Sequence, residues 1–296
     1  MMIREAAMAG RFYAGDPEQC RADLLACLAK ANAAPMGAGL GGRPDRVIGA
    51  VVPHAGWACS GAVAARVFEA VRTVRTPDVV IIFGAIHVQH GPRATIFPTG
   101  AWETPLGLAY IDERLSSRLH GQTGLLEVDP HAHENEHSIE VEVPFIQHLM
   151  PQAKIIPIMV PAGEHAAMLG SAVGRACRAF DANVLFVAST DLTHYGPRFA
   201  FAPRGVGPEG LAWARDVNDR RMIEAIRAMH EESIVPEARA NLNACGAGAV
   251  AATIAACKVL GATRAELLEH TTSHDVLRSM EPDAQDSVGY AGMLIG

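Results

Sequence analysis

The 296-residue chain is short of positive charge: 25 lysines and arginines stand against 32 aspartates and glutamates, a formal net charge of -7. Nucleic acid and acidic membrane surfaces both need a basic face, so neither is expected as a partner. No run approaches the eighteen or so uninterrupted apolar residues of a membrane span. The first residues, Met1-Met-Ile-Arg-Glu-Ala-Ala, hold no apolar signal core, and the cytoplasm is the expected compartment. None of the six cysteines, at positions 20, 27, 59, 177, 245 and 257, forms a Cys-x-x-Cys pair. They read as reduced thiols, with Cys20, Cys27, Cys177 and Cys257 placed in helical patterns as small core residues. A P-loop, a nucleophile elbow and a His-Glu-x-x-His pair are missing as well. Gly37 to Gly42 matches Gly-x-Gly-x-x-Gly on paper, but it precedes a strand and opens no helix, so it is read as a loop.

What is present is a core-forming composition. Apolar residues make up 49% of the chain and charged residues 19%, which excludes disorder. Short apolar runs rich in β-branched residues mark buried strands at Val47–Val52, Val79–Phe83, Ile155–Val160 and Val184–Ala188. Helical patterns follow them: Ala62–Val74, capped by Ser60, then Glu164–Phe180, Gly210–Met229 and Cys245–Leu260. Ala265–His270 and Ser287–Ile295 read as late strands, with an antiparallel edge position open to them. Strands alternating with helices predict one α/β domain over residues 1–296, a three-layer arrangement with a mostly parallel or mixed sheet covered on both faces.

Thirteen histidines are many for this length, and their positions matter more than their number. His54 follows the first strand and His87 the second. Asp191 and His194 follow another, in Ser189-Thr-Asp-Leu-Thr-His-Tyr-Gly. Ligands of open α/β sheets bind beyond the carboxyl ends of the strands. If these strands are neighbours, their ends deliver titratable, metal-type side chains to one pocket. Cys245 admits two readings. With Asn243 as cap it falls in a helix first turn, where a thiolate is favoured; otherwise it is a small buried residue. Cys59 lies near His54 and is assigned to neither class. The segment from His131 to Glu140 begins as a solvated loop with His131 and His133 at the surface. Glu136 and His137 stand at the start of a helix running to Leu149.

Taken in order, several segments resemble the Memo family, called AmmeMemoRadiSam system protein B in bacteria and archaea. They are Ala9-Gly-Arg-Phe-Tyr, Pro53-His-Ala-Gly-Trp with Ser60-Gly, Gly84-Ala-Ile-His, Gly100-Ala-Trp-Glu-Thr-Pro-Leu-Gly, Glu136-His-Ser-Ile-Glu-Val, the Ser189–Gly196 run and Cys245-Gly. The family is similar in fold to class III extradiol dioxygenases, which hold non-haem Fe(II) with two histidines and a glutamate. The resemblance implies metal ligands at His54 and His87, with Cys245 in place of the glutamate. It implies catalytic or pocket roles for His194, His137 and Asp191. It implies a divalent metal, Fe(II) first and Zn(II) or copper next, since a thiolate is a soft donor. The function so implied is a metal-dependent oxygenase or redox enzyme for a small molecule. The second reading is a non-catalytic protein that binds metal, a ligand or a peptide in the same pocket. The family name also implies a link to radical SAM and Ammecr-type proteins. Ala14, Trp57 and Ala85-Ile86 depart from the family's usual residues, the last pair beside His87.

Overall fold

A computed structural model describes residues 1–33, 46–88 and 91–296; the glycine-rich run Gly37 to Gly42 lies outside the described residues. In chain order the elements are β1 (Ile3–Arg4), α1 (Pro17–Ala33), β2 (Gly49–Val52), α2 (Trp57–Val74), β3 (Val79–Gly84), β4 (Ala94–Ile96), β5 (Ala101–Thr104), β6 (Gly107–Tyr110), α3 (Glu113–Thr123) and β7 (Leu126–Val128). There follow α4 (Val143–Leu149), β8 (Lys154–Met159), α5 (Ala166–Ala179), β9 (Val184–Ser189), β10 (His194–Tyr195), α6 (Pro208–Trp213), α7 (Arg220–Arg227), α8 (Glu231–Asn241), α9 (Ala247–Val259), β11 (Ala265–Thr272), α10 (Ser273–Leu277) and β12 (Ser287–Ile295).

The main sheet runs β10-β12-β2-β9-β3-β8-β4-β7, with β11 paired to β12. Its centre, β2-β9-β3-β8, is parallel, while β12 joins β2 antiparallel. The sheet is therefore mixed. The late strands are antiparallel as allowed, but β12 is an interior strand with β2 and β11 both paired to it. The central strands are continuous apolar runs because they are covered on both sides. Ile81, Phe83, Phe186 and Ala188 pack with residues of α5, α7, α8 and α9. Val80, Ile82, Leu185 and Val187 pack with α1, α2 and α4 on the other face. The period-two alternation of a strand thus sorts its residues into two cores. Each large side chain so buried stabilises by about 1.5–3 kcal/mol.

A three-stranded sheet, β1-β5-β6, stands apart, and no hydrophobic run announces it because its strands span two to four residues. Helices α5 and α9 touch backbone to backbone: a Cβ added at Gly170 would sit 2.0 Å from the Ala252 carbonyl oxygen. Three local expectations are corrected. Helix α2 begins at Trp57, so Ser60 is not its cap; its hydroxyl instead donates to the Ala55 carbonyl. The helix expected over 210–229 is continuous over 208–227, but its middle, Ala214–Asp219, winds as a π-turn between α6 and α7. His133 is fully buried against Phe97 and Trp102, although His131 is exposed.

Candidate metal centre

Because β2, β9 and β3 are adjacent and parallel, the turns after them open at the same end of the sheet. His54 comes two residues past β2, Asp191 two past β9, and His87 three past β3. The loop before α4 adds His137. Ring centroids are 5.0 Å apart for His54 and His87, 5.2 Å for His54 and His137, and 4.3 Å for His87 and His137. One ring nitrogen from each of the three lies within 4.8 Å of the others, so this trio forms a group that can hold a metal ion. His137 is not in a helix first turn; it precedes a 3-10 turn at Glu140–Glu142 that leads into α4. Phe12 lies against its ring at 4.8 Å.

Hydrogen bonds decide which nitrogen of each ring faces the pocket. The Ser189 hydroxyl donates its one proton to the Ser138 carbonyl, at 2.5 Å. It can then only accept from His54 Nδ1, 2.8 Å away. His54 therefore carries its proton on Nδ1 and keeps a lone pair on Nε2. For His87 the acceptor is Glu136. Its carboxylate takes the His87 backbone N–H at 2.6 Å and lies 2.9 Å from Nδ1, and it also accepts from the Ser138 N–H. Burial alone would raise the Glu136 carboxyl, but the hydrogen bonds from His87 and Ser138 pull it down to about 2. An ionised acceptor on Nδ1 leaves Nε2 of His87 as the free donor atom. His194 donates Nδ1–H to the Leu192 carbonyl at 3.1 Å, which again frees Nε2.

Cys245 sits at the same end. Its Sγ is 3.1 Å from His54 Nε2 and accepts the Asp191 N–H at 3.3 Å. Since Nε2 holds a lone pair, the thiol is the donor of that contact. The expected first-turn position is corrected: α9 starts at Ala247 behind Gly246, which supplies no side-chain cap. Asn243 is buried and bonded to Asn218 and Glu237. Burial, reinforced by the Asp191 charge, pushes the Cys245 thiol up rather than down. Without the helix dipole the thiolate needs another cation to stabilise it.

Burial likewise lowers His54, aided by the neighbouring histidines, and lowers His137 to about 4. Both rings are neutral lone-pair donors at physiological pH. Asp191 does not present its carboxylate to the pocket alone, since Oδ1 accepts the His54 backbone N–H at 2.8 Å. Burial raises it to about 7 against that bond and one from Ala55. Behind it lies Glu142, fully buried, with neither oxygen hydrogen-bonded among the described residues; burial and Asp191 raise it strongly. Arg4 clamps the whole His133–Glu140 loop, donating to the carbonyls of His133 and Glu136 and pairing with Glu140 at 2.7 Å. Glu140 also accepts from the Met8 N–H and the Tyr13 hydroxyl. A wider groove of about 1020 Å³, lined by Val160, Pro161, His165, Leu169, Val235 and Arg239 among others, contains none of the pocket histidines.

Ser189 and Glu136 are the functional residues that reading by residue type alone leaves unassigned. Both stand in the chemically dense segments, but their partners are 135 and 49 positions away. An α/β fold with imidazoles beyond one end of its parallel strands, joined there by a cysteine from the turn before α9, is the class of protein defined here. The Memo-like protein family model matches residues 4–294. A MEMO1 family protein of Methanothermobacter thermautotrophicus is 36% identical over 98% of this chain and 99% of its own length. One from Methanopyrus kandleri is 34% identical over 99% of both. The chain belongs to the Memo-like family. The crystal structure of an uncharacterized protein from Escherichia coli K12 has a similar fold, with a TM-score of 0.55 at 12% identity over 85% of this chain and 100% of that one.

Proposed function

We propose that the chain is a metal-dependent oxygenase or redox enzyme, acting on a small molecule, with a divalent ion held by His54, His87 and Cys245. Fe(II) is the first choice and Zn(II) or copper the next. The observation that carries this reading is the Ser189–His54 bond, which dedicates His54 Nε2 to the pocket. Support comes in two parts: His54 and His87 belong to the imidazole trio close enough to share an ion, and His54 and Cys245 are spaced to share one. Nitrogen and sulfur ligands about 2.0–2.3 Å from one tetrahedral ion lie roughly 3.5 Å apart, and Cys245 Sγ is 3.1 Å from His54 Nε2. The ion would supply Lewis-acid or redox chemistry when bound.

The chain's own residues do the rest. His194 Nε2 accepts a proton from a bound hydroxyl, and its Nδ1–H stays on Leu192. Asp191 holds the turn that carries His54. His137, with Phe12 packed against its ring at 4.8 Å, lines the pocket for the bound molecule. A second reading takes His137 as third donor instead of Cys245, favoured by the three-histidine group. Metal analysis of protein purified without oxygen, followed by an oxygen-uptake screen with small phenolic compounds, tests the proposal. One equivalent of metal with substrate-dependent uptake supports it; bound metal without turnover of any kind reduces it to a binding protein. Loss of metal in Cys245→Ser but not in His137→Ala selects the first donor set.

A further inference from the structure

The segment 190–195 carries Asp191 and His194, and it is tied down from behind by residues with no place in the pocket. In the π-turn at Ala214–Asp219 two consecutive side chains reach the same residue. Asn218 donates to the Thr193 hydroxyl at 3.1 Å, and Asp219 Oδ1 accepts the Thr193 backbone N–H at 2.9 Å. Asp219 is buried, 1% exposed, and its other oxygen lies 3.0 Å from His270 Nε2. Both residues lie at the end of the π-turn, just before α7. Across the segment, Gly289 accepts the Leu192 N–H and donates to the Thr193 carbonyl. A Cβ at Gly289 would fall 2.0 Å from Asp219 Oδ2, so the carboxylate has its place only because this residue is glycine.

The Thr193 N–H that Asp219 accepts belongs to the same peptide plane as the Leu192 carbonyl, and that carbonyl accepts His194 Nδ1–H. We infer that Asp219 is a positioning residue for His194, acting through the single peptide that joins Leu192 to Thr193. A carboxylate on the N–H end polarises the peptide and strengthens its carbonyl as an acceptor. It also fixes the direction in which that carbonyl points. Together these hold the proton on Nδ1 and keep the Nε2 lone pair towards the pocket, where it takes a proton from a hydroxyl-bearing ligand. The inference rests on the reading of His194 as the pocket's proton acceptor. It adds a buried carboxylate that works on the imidazole without touching it.

The test uses the full chain, freed of metal by chelation and labelled with nitrogen-15. Ring shifts of His194 report its tautomer, and the Thr193 amide proton reports the bond to Asp219. In the unmodified protein Nδ1 carries the proton and the Thr193 amide lies far downfield. Asp219→Asn keeps the shape and removes the charge. Polarisation through a shared peptide strengthens the linked bond by about 10–30%, so the Nδ1–H to Nε2–H ratio should fall by up to about twofold, with the amide moving upfield. Asn218→Ala removes a neighbouring bond from the same turn and should leave the ratio alone. An unchanged ratio in folded Asp219→Asn overturns the inference, as does an equal change in Asn218→Ala. If Asp219→Asn does not fold, the unmodified protein decides, because an Nε2–H tautomer of His194 there overturns it too. No metal enters these readouts, so a failure here is distinct from a failure of the metal site.

Discussion

Glu136 holds His87 at two atoms of one residue, the backbone nitrogen at 2.6 Å and ring Nδ1 at 2.9 Å. One carboxylate thus sets both the turn after β3 and the direction of the imidazole on it. Groups that orient a metal-binding histidine in this way cost roughly 10–100-fold in metal affinity when removed. Glu136→Gln should show that loss in a competition titration while remaining folded by circular dichroism.

The N-terminal clamp has a larger structural role. Arg4 and Glu140 form an ion pair with side chains 1% and 0% exposed. Removing one partner of a buried pair strands the other charge and costs about 3–5 kcal/mol. Arg4→Ala should lower stability to denaturant by about that amount, and Arg4→Ala with Glu140→Gln should recover part of it.

The strand ends that carry the site were legible in the sequence, and the groups that aim it were not. Val79 to Phe83 reads as a strand because burial on both faces makes it uninterrupted, and His87 follows it by chain connectivity. The helical patterns around Cys20, Cys27, Cys177 and Cys257 place them in the core, and each is buried in α1, α5 or α9. His133 escaped because a histidine in a polar run gives no sign that Phe97 and Trp102 enclose it. Asn243 resembled a helix cap, but its bonds to Asn218 and Glu237 are tertiary contacts that outweigh the local preference. The tautomer of His54 depends on Ser189 and Ser138, both far downstream in the chain, so no local pattern contains it.

Glu142 should give the stability a pH dependence of known sign. Burial raises its folded carboxyl well above the unfolded value, so the folded state binds the extra proton. Stability is then highest below the unfolded value of about 4.3 and falls by about 1.4 kcal/mol per pH unit until the folded value is passed. Glu136, pulled down to about 2, acts oppositely and only below the same unfolded value. Unfolding curves of the unmodified protein and Glu142→Gln between pH 5 and 8 should diverge, the variant lacking this part of the decline. Parallel curves would show that Glu142 is ionised in the folded state.

Helix packing over the sheet has its own check. Gly170→Ala forces a Cβ to within 2.0 Å of the Ala252 carbonyl oxygen, so α5 must retreat from α9. Overpacking of this kind costs about 1–3 kcal/mol. The loss should appear as a lower midpoint in denaturant unfolding.

The central claim is that the imidazoles beyond β2 and β3, each with Nε2 freed for the pocket, hold one divalent ion. The most direct measurement is an anaerobic competition titration with Fe(II) and Zn(II) on the unmodified chain, His54→Ala, His87→Ala and the double variant. The account expects one tight equivalent in the unmodified chain, a steep loss in each single variant and none retained by the double variant. A full equivalent bound by the folded double variant would contradict it.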